Sequence, residues 1–212
     1  ENSGPDGGHS EHVLTPPAEG EGYQYKMNVQ IKAGDENEKC KFFQVGPEGL
    51  NINRTKSLYT PGSHHLLLFT TPYTEIPTKT KTGSPIEFET DDGIFDCTEG
   101  PFNQFDVVSV IGGAQNAESE LIAFPKGVAL QVEPNTVLLY NTHYLNASDQ
   151  ELDATAYLNL YTIPEEEVHT KGGVLFFYNP YIFVPAAESA SARFACPVTK
   201  DITVLNAQSH MH

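Results

Sequence analysis

No stretch of this chain approaches the roughly 18 consecutive apolar residues that a membrane-spanning helix needs, so no helical span is expected. Basic residues are scarce: 12 Lys and Arg stand against 28 Asp and Glu, a formal net charge of −16. Such a field repels phosphate backbones and anionic lipid surfaces, which argues against nucleic acid as a partner. Cysteine is limited to Cys40, Cys97 and Cys196, widely spaced and without a CxxC, so neither a zinc ribbon nor a thioredoxin-type site is indicated. There is no HExxH, and the carboxylates fall mostly in turns and charge runs, which counts against a zinc-dependent hydrolase. The first residue is Glu, with no charged-then-apolar leader after it, as expected of a mature form or of a protein made without one.

What the chain does have is length for one large β domain, or for one domain and the start of another. Its 12 Phe and 10 Tyr carry much of the burial, and 17 Gly with 15 Pro cut the sequence into short segments. Residues 1–20 are rich in Gly, Pro, Glu and Ser and are expected to be a flexible leader, in which His9 and His12 are solvated. From Tyr23 the pattern becomes strict alternation, with Tyr23, Tyr25, Met27, Val29 and Ile31 on one side, the period of a half-buried strand. Further strands are expected at 65–69, 105–111, 128–132, 137–145, 154–162, 174–178, 193–195 and 202–207, separated by turns such as Thr60-Pro61-Gly62 and Glu133-Pro134-Asn135. Many short strands and no convincing amphipathic helix predict an all-β protein, an antiparallel β-sandwich of jelly-roll type. The charged and glycine-rich stretch after Pro164 reads as a junction. The expected organisation is therefore a sandwich over 21–164, a linker over 165–172, and the first strands of a second, incomplete β-sandwich over 173–212.

An odd cysteine count leaves one thiol unpaired. A Cys40–Cys97 disulfide is expected, the alternative being three buried thiols, and the bond implies an oxidising, secreted, extracellular or periplasmic setting. Two sequons, Asn53-Arg54-Thr55 and Asn146-Ala147-Ser148, fit extracellular exposure without deciding it.

Five of the eight histidines fall in or beside apolar, strand-like segments: His64 and His65, His143, and His210 and His212. Neutral imidazole suits copper, zinc, iron and nickel, and spacing does not name the metal. His210 and His212 are two apart, so on a strand both rings project from one face and can chelate one ion. His64 and His65 are adjacent and would point to opposite faces, so a shared ion requires a bulge or a strand start, which Pro61-Gly62 makes available. His143 shares a strand face with Val137, Leu139 and Asn141, where a lone histidine is more commonly a hydrogen-bonded core residue. The competing expectation for the whole set is a sandwich that merely carries several partly exposed histidines.

Taken in order, these segments resemble the copper type II, ascorbate-dependent monooxygenases, the family of peptidylglycine α-hydroxylating monooxygenase and dopamine β-monooxygenase. His64-His65 before Leu66-Leu67-Leu68-Phe69 resembles the family's paired histidines, and Asp96-Cys97-Thr98-Glu99-Gly100 its cysteine turn. Phe124-Pro125-Lys126-Gly127-Val128 leads into the strand whose His143 matches the third ligand of the first copper site, and His210-Met211-His212 resembles the His-x-His of the second. The resemblance runs collinearly over about residues 21 to 212. It implies two sandwich domains across a solvent-filled gap and two copper ions. One, held by His64, His65 and His143, stores and relays an electron. The other, to which His210 and His212 give two ligands, is catalytic, activating dioxygen and abstracting hydrogen from a small-molecule or peptide substrate with an ascorbate-like reductant.

Three departures accompany it. The family's methionine ligand lies downstream of the His-x-His, whereas Met211 lies between the histidines and would face the other way. Cys196 matches a cysteine whose partner is also downstream. Where the peptide-amidating branch has a carboxylate-holding arginine two residues before the His-x-His, this chain has Gln208, so peptidyl-glycine is not the expected substrate. A noncatalytic copper-binding module is the competing functional expectation.

Overall fold

The computed structural model describes residues 13–177, 179 and 181–209. Along β1 (Gly22–Ile31), alternation buries Tyr25, Met27 and Ile31 and exposes Lys26, Asn28 and Gln30. The same period recurs in β2 (Glu36–Gln44), β3 (Leu50–Tyr59) and β4 (Ser63–Thr70). After a long excursion come β5 (Ile94–Asp96), the single-turn α1 (Pro101–Gln104), β6 (Ser109–Ala114), β7 (Glu118–Ser119) and β8 (Val128–Val132). The last elements are β9 (Val137–Leu145), β10 (Leu152–Thr162) and β11 (Thr170–Gly172).

These strands form two sheets packed as a sandwich, which is the all-β architecture expected. One sheet runs β1-β10-β3-β8-β11 with β7 beside β3, and the other runs β5-β2-β9-β4-β6. All pairings are antiparallel except that of β11 with β8. Between the sheets, Met27, Ile52, Leu158 and Leu160 meet Leu66, Leu68, Leu138 and Tyr140, each large side chain contributing about 1.5–3 kcal/mol of burial. The second sheet is covered on its other face as well. There Phe42, Phe69, Val137 and Leu139 pack with Phe95 and Phe105 from the excursion, around a Cys40–Cys97 disulfide. Burial on both faces is why β9 reads as a nearly unbroken apolar run. Cys196 is an exposed free thiol, so the alternative of three buried thiols is not realised.

Several expectations are corrected. Residues 174–177, 193–195 and 202–207 carry no strand. Their alternation is real, but among the described residues no strand pairs with them, and a strand cannot persist unpaired. The linker over 165–172 is instead part of the sandwich: Glu165–Glu167 form a 3-10 turn, and Thr170–Gly172 pair with Val128, Ala129 and Leu130. The strand expected at 105–111 begins only at Ser109, because Phe105 turns into the second core. The described part of the leader, 13–20, is anchored: Leu14 is buried, its carbonyl accepts from Gln24, and the Thr15 carbonyl accepts from Asn159. His9 and His12 lie outside the described residues. Among the described residues, no helix is long and apolar enough to cross a membrane.

Candidate metal centre

Strand β9 is the middle of the second sheet, between β2 and β4. Its even-numbered residues Leu138, Tyr140 and Tyr144 face the other sheet. Its odd-numbered residues Val137, Leu139, Asn141 and His143 form a row on the opposite face. On β4 the row beside it is Phe69, Leu67 and His65, with His65 directly paired to His143. Regular pairing would send His64 into the inter-sheet core. The register instead shifts between Ser63 and His65, a bulge with His64 as the extra residue. Gly62 ends the preceding turn at φ 95°, where a Cβ would also lie 3.2 Å from Ile31 and Leu152, so glycine is required where the chain enters the bulge. The bulge needed for adjacent histidines to share an ion is therefore present, immediately after Pro61-Gly62.

The three rings form a nearly equilateral triangle, with centroids 5.3 Å apart for His64 and His65, 5.2 Å for His64 and His143, and 5.1 Å for His65 and His143. One ring nitrogen from each lies within 4.8 Å of the others. His65 is 3% exposed, while His64 and His143 are half-buried, so the cluster is solid on one side and open on the other. Two imidazole nitrogens bound to one ion at about 2.0–2.1 Å stand about 3.3 Å apart at a tetrahedral angle and about 4.1 Å apart when opposed. The Nδ1 atoms of His64 and His65 are 3.2 Å apart, and the set as a whole closes on an ion with shifts below about 1 Å. The donor set, three imidazoles, suits a borderline transition metal and not calcium or magnesium.

Further contacts hold the three histidines. His143 Nε2 pairs with Glu36 Oε1 at 2.9 Å. The Tyr59 hydroxyl donates to the His64 carbonyl at 3.2 Å. Asn141, two residues before His143 on the same face, donates to Glu38 Oε2 at 2.9 Å and to Cys97 Sγ at 3.3 Å, tying the histidine row to the disulfide. Beneath β9, burial pushes ionisation of the Tyr140 and Tyr144 phenols well up, and both stay neutral through the ordinary pH range.

The structure thus brings together His64 and His65 from one segment and His143 from another. The expected second pair, His210 and His212, lies outside the described residues. Glu36 was not singled out by the sequence. Only its alternation with Glu38, Cys40 and Phe42 pointed to that face, and nothing in spacing linked it to a histidine 107 residues away. No family model matches the chain, and a search of curated proteins returns no significant match. The likeness to the copper monooxygenases accordingly rests on the segments quoted above.

Proposed function

We propose that this sandwich binds copper through His64, His65 and His143 and serves as the electron-storing domain of a copper monooxygenase that hydroxylates a C–H bond with dioxygen and an ascorbate-like reductant. The observation that carries the reading is the convergence of the three rings, 5.1 to 5.3 Å apart, from a bulged strand start and its partner strand. Copper is preferred among divalent first-row ions because it binds nitrogen sites most tightly. Bound there, the ion supplies a one-electron store. The protein's own part is to fix three neutral imidazoles on a rigid sheet, keep the ion's inner side dry through His65, and leave the outer side open.

In this reading, segment 173–212 opens a second domain that brings His210 and His212 to the catalytic copper. Exposed Phe176, Phe177, Ile182, Phe183 and Val204 support it, since apolar side chains at this density ordinarily have a cover. The setting is extracellular or periplasmic, supported by the buried disulfide. A second reading, a noncatalytic copper-binding module, keeps the sandwich and the His64, His65 and His143 cluster and needs no further site.

Copper titration and ascorbate-driven oxygen uptake test both readings. The monooxygenase reading expects more than one copper per chain, uptake above background, and loss of both first-site copper and uptake in His143→Ala. One copper with no uptake supports the module. Unchanged stoichiometry in His143→Ala refutes the ligand assignment in either case.

A further inference from the structure

We propose that Glu36 is a positioning residue for this centre: its carboxylate selects the Nε2–H tautomer of His143 and so turns the lone pair of Nδ1 toward the ion. The inference deepens the three-histidine reading and rests on it. Strand order does the first part of the work. β9 lies between β2 and β4, so Glu36 approaches His143 from one flank and His64 and His65 from the other.

Hydrogen-bond chemistry does the second. An ionised carboxylate can only accept, so the 2.9 Å contact from His143 Nε2 to Glu36 Oε1 requires the hydrogen to be on Nε2. A neutral imidazole carries one N–H, which leaves Nδ1 as the ligating nitrogen. His143 Nδ1 is buried. Ligating histidines are ordinarily oriented through their other ring nitrogen in this way.

The register explains why the partner is Glu36 and not its neighbour. Glu38 stands directly opposite His143, but its carboxylate accepts from Asn141 at 2.9 Å. Glu36, two positions along on the same face, is a diagonal neighbour within reach of a long side chain. Its side chain is mostly exposed at the start of β2, so replacing it leaves the core untouched.

Long-range nitrogen–proton NMR of the metal-free protein, at mildly alkaline pH, reads the His143 tautomer without reference to metal. Wild type is expected to show the Nε2–H form alone. In Glu36→Gln the amide can donate as well as accept, so both tautomers appear, and copper or zinc affinity falls roughly 10- to 100-fold. Glu36→Asp keeps an acceptor-only group and restores the single form. A predominant Nδ1–H form in wild type, or a Glu36→Gln spectrum and affinity identical to wild type, overturns the proposal. If the tautomer follows Glu36 while wild type binds neither copper nor zinc, the positioning role stands and the metal reading fails.

Discussion

Asn146 follows His143 by three residues and does something quite different with its amide. It is 1% exposed, and its Nδ2 donates to the carbonyls of Ile31, Lys32 and Gln150. Asn53, in the other sequon, donates to Val128 and Pro125 carbonyls at 2.8 and 3.2 Å. A glycan on either nitrogen would displace these bonds, and at Asn146 it would have to enter the protein. The folded chain is therefore expected to carry no glycan at Asn146, shown by an unchanged mass of the Asn146-containing peptide on enzymatic deglycosylation of material from a glycosylating host. Asn146→Ala should cost on the order of 3 kcal/mol in urea unfolding, because the two buried N–H donors and the Oδ1 that accepts from Ser148 are lost together. A glycosylated Asn146, or a loss near zero, would contradict this. The sequence showed the motif but not the amide's partners, which come from residues as far as 115 positions away.

Among the elements, those with an even or unbroken apolar pattern were the legible ones. β8 and β9 begin and end where the pattern placed them, and β1 differs by one residue. β2 was overlooked because its charge hides it. Lys39 and Lys41 alternate with Cys40 and Phe42 and share a face with Phe43 at the sheet's margin, where they are satisfied by Glu89, Asp96 and Asp92 from distant chain. β3 was overlooked for a similar reason, with Asn51, Asn53 and Arg54 interrupting its apolar residues. The three strands expected after 173 show the opposite error, pattern without a partner. β9 and β1 also set an alkaline limit. Burial raises the phenol pKa values of Tyr25, Tyr140 and Tyr144 in the fold, with nearby Tyr23 adding to the first. A raised folded value stabilises the neutral form, so this contribution is complete below the unfolded pKa of about 10 and is lost as pH rises above it. Tyrosinate absorbance should therefore show these three ionising only together with unfolding. Ionisation of all ten tyrosines while the fold persists would be the contrary result.

For the molecule as a whole, the disulfide and the two cores act together. Cys40 and Cys97 are 57 residues apart in sequence, and closing a loop of that size removes unfolded-state entropy worth about 4 kcal/mol. The bond also fastens the excursion over the outer face of the sheet that holds the histidines. The Cys40→Ala/Cys97→Ala protein should lose about that much stability in denaturant, and a loss below about 1 kcal/mol would show that the second core alone holds the excursion. Which cysteines paired was within reach of the sequence, as was the sandwich. The triangle itself was only partly so. Periodicity placed His143 on a face, and Pro61-Gly62 made a bulge at His64 available, but nothing in the spacing showed that β4 would pair with β9 so that His65 stands directly beside His143.

That meeting is open to direct observation. Pulsed electron paramagnetic resonance of protein loaded with one equivalent of copper(II), paired with X-ray absorption, counts the imidazoles on the ion. Three in wild type, and loss of that three-imidazole copper signal in His143→Ala, are predicted. One or none in wild type, or a spectrum that His143→Ala leaves unchanged, would mean that these rings do not share a metal.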